Sequence, residues 1–293
     1  MIEFHINTTS EHVDELSDQL ALLGAAAVTW QDAGDQPIYE PKPDEIIRWN
    51  DIKIIALFES LQSIEAVKAY LVKQQQCHFL LHFEMQDVEE KDWVRITQQQ
   101  FEPVLFGKRL WIIPSWCQPV DAQAVNILFD AGVAFGTGSH PTTALCLEWL
   151  EQNIHGNEII IDYGCGAGIL AVSALKLGAK HAVAIDYDPQ AIDACLMNAE
   201  LNDIPSSILE VCLPENLITK QVDILLANIL AQPLIELAPR FADLIKPGGR
   251  LVLSGIMNHQ CDDVLRAYQK WFSLNEPVEK GDWVLISARR IER

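Results

Sequence analysis

Long apolar runs are missing from this sequence. Across 293 residues none approaches the ~18 needed to span a bilayer, and candidates such as Ile54 to Phe58 are strand-sized. Basic side chains are also scarce, 21 Lys and Arg against 41 Asp and Glu, for a net charge of −20. Apart from Lys108-Arg109 and Arg289-Arg290 there is no basic cluster, so the phosphate neutralisation that drives nucleic-acid binding has little to work with. A basic partner suits this charge better. The seven cysteines include no CxxC pair and form an odd set, which excludes a disulfide framework or zinc site and fits reduced thiols in the cytoplasm. The opening Met1-Ile2-Glu3-Phe4 has no basic region followed by an apolar stretch, so no secretory leader is expected. Repeats and low-complexity tracts are absent too. What remains is 49% hydrophobic and 21% charged, a globular composition long enough for two domains.

The two halves have different rhythms. Residues 1–86 read strand, helix, strand, twice over. Strands are expected at Ile2 to Ile6, Ala25 to Trp30, Ile52 to Phe58 and Cys77 to Phe83. Val13, Leu16, Leu20 and Leu23 mark one helix face, and Ile64, Val67 and Leu71 mark a second. Two βαβ units in so short a span predict a ferredoxin-like α+β sandwich. The charged run Asp87 to Trp93 opens a connector expected over 87–118, with a strand from Arg109 to Ile113. Residues 119–293 alternate strand and helix, with buried runs at Ile159 to Ile161, Ala182 to Ile185, Ile208 to Cys212, Val222 to Leu226 and Leu251 to Leu253. Asp188 is a candidate N-cap with Pro189 in the first helical position. The end reads as a hairpin, Phe272 to Val278 and Trp283 to Ala288, so one strand runs antiparallel.

The segment Ile159-Ile160-Ile161-Asp162-Tyr163-Gly164-Cys165-Gly166-Ala167-Gly168 carries most of the chemistry. A buried strand runs into a glycine turn that opens a helix, where missing Cβ atoms let the backbone approach a ligand. The spacing is GxGxG, not the GxGxxG of a dinucleotide cradle. Asp186, at the end of the next strand and 22 residues after Gly164, is placed to take both hydrogen bonds of a ribose diol. The bland alternative is an ordinary strand–helix turn with a solvent-facing acid.

Glycine turn, acid and antiparallel hairpin together resemble the class I S-adenosylmethionine-dependent methyltransferases. That resemblance implies a Rossmann-like seven-stranded sheet with an antiparallel last strand, Gly164, Gly166 and Gly168 beside the methionine moiety, Asp162 near its amino group and Asp186 on the ribose. The acid that often meets adenine has no clear counterpart in Val211-Cys212-Leu213-Pro214-Glu215.

Three further segments narrow the resemblance. They are Ala134-Phe135-Gly136-Thr137-Gly138-Ser139-His140-Pro141-Thr142-Thr143, the connector Asp92-Trp93-Val94-Arg95, and Ala227-Asn228-Ile229-Leu230-Ala231-Gln232-Pro233-Leu234. With the glycine turn between them, the chain resembles the ribosomal protein L11 methyltransferase (PrmA) family. The resemblance implies a recognition domain (1–86), a flexible linker (87–118) and a catalytic domain (119–293) that methylates lysine side-chain and N-terminal α-amino groups of ribosomal protein L11, free or on the ribosome. It also implies a cytoplasmic monomer that needs no metal and touches neither membrane nor specific nucleic acid. S-adenosyl-L-methionine contacts are expected at Thr143, Gly164, Gly166, Asp162, Asp186, Asn228 and Phe135, with Asn228 catalytic. Rival readings are a methyltransferase for another basic protein or small amine, and a non-catalytic cofactor-binding module on the ribosome. His78 and His82 are spaced like ligands, but their surroundings read as a strand with no third donor nearby.

Overall fold

The computed structural model describes residues 1–34, 48–58, 64–76, 80, 82–87, 102–130, 140–218 and 221–292. The chain divides into two compact units, Met1–Ile96 and Thr97–Arg293.

In the first unit β1 (Ile2–Thr9), α1 (Val13–Leu22), β2 (Ala27–Asp32), β3 (Asp51–Phe58), α2 (Ile64–Gln76) and β4 (His82–Asp87) follow one another. The strands form one antiparallel sheet in the order β2-β3-β1-β4. Alternation in β1 and β3 sends Phe4, Ile6, Ile52, Ile54 and Phe58 to one face, where they bury against Val13, Leu16, Leu20, Val67 and Leu71. Phe4 and Phe58 meet edge to face at 5.6 Å. The fourth strand runs His82–Asp87 and shares His82 and Phe83 with the expected Cys77 to Phe83. Ladder pairing with β1 runs from His82 opposite Asn7 to Asp87 opposite Ile2. Cys77, His78, Phe79 and Leu81 lie outside the described residues.

The second unit opens with a three-stranded sheet: β5 (Val104–Phe106), β6 (Leu110–Pro114) and β7 (Val125–Phe129). Within the expected linker 87–118, the strand expected at Arg109 to Ile113 is β6, and β5 precedes it. Phe106, Leu110 and Ile112 bury in the same core as Leu145, Leu147 and Leu150, and this burial draws 104–114 into the second unit. Residues 88–101, including Asp92-Trp93-Val94-Arg95, lie outside the described residues.

The remaining elements are α3 (Pro141–Asn153), β8 (Ile159–Tyr163), α4 (Ile169–Lys176), β9 (His181–Ile185), α5 (Pro189–Leu201), β10 (Leu209–Cys212), β11 (Val222–Asn228), α6 (Ala231–Leu244), β12 (Ile245–Met257), α7 (Cys261–Tyr268), β13 (Phe272–Leu274), β14 (Val278–Lys280) and β15 (Trp283–Arg290). The main sheet runs β10-β9-β8-β11-β12-β15-β13, parallel from β10 to β12, with β15 antiparallel to both neighbours. β14 also pairs with β15. The eighth strand arises because the expected Phe272 to Val278 is broken at Asn275-Glu276-Pro277; Pro277 has no N–H to give a ladder. Successive residues of the central strands enter opposite cores: Ile160, Ala182 and Ile224 beneath α3 and α4, and Ile161, Val183 and Leu225 beneath α6 and α7. Among the described residues no helix is long and apolar enough to cross a membrane.

Candidate functional site

The parallel strands β8, β9 and β11 end on one edge of the sheet, and each contributes to one cluster there. Beyond β8 the glycine turn is wired to β9: the amides of Gly164 and Cys165 both donate to Ile185 O, at 2.8 and 2.9 Å. Gly164, Gly166 and Gly168 all have positive φ, from 52° to 82°. A Cβ on Gly164 would come within 2.2 Å of Ile229 Cγ2, so this turn needs glycine for space as well as for dihedral angle.

This folding delivers Asp186 to the turn. Its Oδ2 accepts from the Gly166 amide at 2.8 Å and its Oδ1 from the Asp188 amide at 3.1 Å, with 8% of the residue exposed. Each carboxylate oxygen keeps a second lone pair for a diol. Asp188 caps α5 as its sequence position predicts, accepting from Gln190 N at 2.9 Å.

Asp162 is fully buried at the end of β8. Its Oδ2 accepts from Ala171 N at 3.0 Å, and its Oδ1 has no hydrogen-bond partner among the described residues. Burial pushes its carboxyl up to about 7, against the Ala171 bond, and nearby Asp186 adds to the rise. A buried acceptor without a donor is costly and is relieved by a cationic N–H group. The orphan oxygen, the glycine turn and the carboxylate of Asp186 thus fit an amino-acid ammonium at one end of a ligand and a ribose at the other.

Asn228, the last residue of β11, donates from Nδ2 to Thr143 Oγ1 at 3.2 Å. Thr143 is buried in the first turn of α3. The helix is capped by His140, which accepts from Thr142 N, and the His140 ring packs edge-on against Trp283 at 4.9 Å. His140 therefore has the capping role its position before Pro141 suggests. Phe135, with the rest of 131–139, lies outside the described residues.

The structure brings Asp162, Gly164, Gly166 and Asp186 together through hydrogen bonds and turn geometry, and Thr143 together with Asn228. It adds residues the sequence did not single out. Buried Ser254 donates to Thr142 O at 3.2 Å, and Gly255 is pressed so closely on the Ile229 main chain that a Cβ would lie 2.3 Å from Ile229 O. The Ser254-Gly255 pair inside an apolar strand was the only available signal. Cys165 is buried; its thiol is pushed well up by a hydrogen bond with Cys195 and by burial, as suits packing rather than nucleophilic attack. Among the described residues no cluster of His, Cys, Asp and Glu could hold a metal.

Residues 1–291 match the family described as ribosomal protein L11 methyltransferase (PrmA). A ribosomal protein L11 methyltransferase of Marinobacter nauticus is 47% identical over 293 residues, covering 99% of this chain and 98% of that one. One from Shewanella halifaxensis is also 47% identical, covering 99% of each. The crystal structure of a ribosomal protein L11 methylase from Lactobacillus delbrueckii subsp. bulgaricus superposes with a TM-score of 0.59 at 30% identity, covering 66% of this chain and all of that one.

Proposed function

The chain belongs to the ribosomal protein L11 methyltransferase (PrmA) family, and from that premise we propose that it transfers methyl groups from S-adenosyl-L-methionine to lysine side-chain and N-terminal α-amino groups of ribosomal protein L11. The observation that carries the site assignment is the meeting of the glycine turn, Asp186 and the Asn228–Thr143 pair at the carboxyl ends of β8, β9 and β11. Asp162 and the turn hold the amino-acid end of the cofactor and Asp186 its ribose. When bound, S-adenosyl-L-methionine supplies an electrophilic methyl carbon and a neutral thioether leaving group.

The acceptor amine must be neutral to attack. A free lysine is only about 0.04% neutral at pH 7, a handicap of roughly 4.6 kcal/mol. An apolar, water-poor pocket reduces it by disfavouring the charged form, and an α-amino group starts nearer neutrality. Since Nδ2 of Asn228 is directed at Thr143, its Oδ1 remains to accept an N–H of the amine and aim the lone pair.

The acidic first unit is the recognition domain, acting as part of a cytoplasmic monomer on the ribosomal protein, free or assembled, without holding nucleic acid itself. Residues 1–86 carry 14 acidic and 5 basic side chains, a net of −9. The sheet face of β1 and β3 opposite the helices holds a polar cavity of about 420 Å³ lined by His5, Asn7, Lys53 and Glu84. Incubating the enzyme with isotopically labelled cofactor and purified L11, then mapping label by mass spectrometry, tests the assignment. Label on L11 amines is expected. Label only on another basic protein or a small amine, or on nothing, would replace it with one of the rival readings.

A further inference from the structure

Two asparagines on an otherwise apolar helix face lie four residues apart and are almost completely buried: Asn198 in α5, and Asn202 immediately after it. Both reach the same edge of β7 and its continuation. Asn202 Oδ1 accepts from Leu128 N at 2.9 Å and its Nδ2 donates to Leu128 O at 2.6 Å. Asn198 repeats the pattern two residues on, accepting from Asp130 N and donating to Asp130 O, both at 2.9 Å. A side-chain amide offers the same donor and acceptor as a peptide, so the pair replaces a neighbouring strand along the β7 edge that β6 does not occupy.

The two differ in their remaining donor. Asn202 spends it locally, on Asn198 O at 2.8 Å. Asn198 spends it on Ala167 O at 3.0 Å, inside the glycine turn. One turn earlier on the same helix, Cys195 fills the space beside Gly168, where a Cβ would come within 2.5 Å of its Sγ. The turn is therefore held from behind by α5 at two consecutive places.

We infer that Asn198 is a positioning residue for the cofactor turn, fastening the Ala167 carbonyl and the Asp130 main chain to one amide so that the turn and the end of β7 hold a single geometry. Edge covering alone would need only what Asn202 does; the bond to Ala167 O is what links Asn198 to the site. The inference rests on the cofactor reading above and adds a residue that touches neither cofactor nor substrate.

The test compares Asn198→Ala with Asn202→Ala, each of which removes an equivalent pair of contacts, to Asp130 and to Leu128. S-adenosylhomocysteine binding to each full-length variant is measured by calorimetry, alongside Tm. Comparable losses of Tm are expected, with affinity down about tenfold or more in Asn198→Ala and within about twofold of wild type in Asn202→Ala. Equal effects on affinity, large or small, would overturn the proposal. Should Asn198→Ala not fold, amide hydrogen exchange on the wild type decides. Saturation with S-adenosylhomocysteine should raise protection at Asp130 N more than at Leu128 N, and equal change at both would overturn it. A wild type that binds no S-adenosylhomocysteine would remove the cofactor reading itself, and this inference with it.

Discussion

The Asn228 side chain donates to Thr143 Oγ1 across 3.2 Å, joining the end of a central strand to the first turn of the helix that packs over it. Thr143 is itself fixed. The preceding Thr142 has its amide on the His140 cap and its carbonyl on Ser254. Asn228 is thus oriented by a chain of contacts that runs through α3 to β12, and its carbonyl oxygen, free among the described residues, has a defined direction before any substrate arrives.

Replacing Asn228 by Ala should therefore affect the chemical step more than binding. We expect kcat to fall by about 100-fold, in line with other losses of a single preorganised polar group, while S-adenosylhomocysteine affinity stays within about threefold. Thr143→Val removes the acceptor that orients the amide and should give a smaller fall of about tenfold in kcat, with Asn228 still present. Steady-state kinetics with L11 and calorimetry with the demethylated cofactor separate the two quantities. Parallel losses in both would make Asn228 a binding residue only.

Asp162 gives a pH signature. Burial raises its folded-state carboxyl from the usual carboxylate range to about 7. The folded protein therefore binds this proton more tightly than the unfolded chain between about pH 4 and pH 7. The resulting stability, at most about 4 kcal/mol, is complete below the unfolded value and is lost as pH rises through 7. Asp162→Asn keeps a neutral side chain at all pH values, so the stability difference, variant minus wild type, should rise from pH 5 to pH 8. If the cofactor's ammonium meets Oδ1, binding near pH 7 should also release a proton, visible as a dependence of calorimetric enthalpy on buffer ionisation. A stability difference that is flat with pH would show that Asp162 is ionised throughout.

Much of the second unit was legible because its signals are local. A buried run followed by GxGxG, an Asp-Pro helix start at Asp188-Pro189 and a terminal hairpin each leave a pattern within a few residues. The strand at His82–Asp87 was not legible in this way. Its extent depends on antiparallel pairing with β1, nearly eighty residues away, which carries the strand through the polar stretch to Asp87, beyond the expected end at Phe83. Likewise 104–114 looked like connector because the helix residues that bury Phe106 and Leu110 are distant in sequence. At the site, Asp162, Gly164, Gly166 and Asp186 could be read from the turn itself. Ser254 and Asn198 could not: a serine in a strand and an asparagine in a helix acquire meaning only from the carbonyls that the fold brings to them.

The acidic balance of residues 1–86 makes a separate prediction about recognition. With a net of −9 over that stretch, association with a basic protein should weaken as salt screens the attraction. Raising ionic strength from about 0.05 M to about 0.5 M should weaken L11 binding by roughly tenfold, mainly through a slower on-rate. Cofactor affinity, set by buried groups, should change little over the same range. An L11 affinity that ignores salt would assign the surface acids to solubility alone.

Ile229 separates the two glycines that crowd it. An Ala at 164 would drive its Cβ into Ile229 Cγ2 at 2.2 Å, and an Ala at 255 would drive it into the Ile229 main-chain oxygen at 2.3 Å. Both positions also have positive φ, 77° and 82°, which costs an alanine about 1–2 kcal/mol whatever surrounds it. Removing the Ile229 side chain eliminates the first obstacle and leaves the second in place. In an Ile229→Ala background, Gly164→Ala should cost little more than the dihedral penalty. Gly255→Ala should be as damaging there as in the wild type, by about 3 kcal/mol or more, because main chain cannot yield without displacing the end of β11. Denaturant unfolding of the three single and two double variants yields the two coupling energies. The expected result is about 1 kcal/mol or more for the 164–229 pair and none for 255–229. Equal coupling would mean that both glycines press on the side chain, and that the loop after Asn228 is held by packing instead of by close backbone approach.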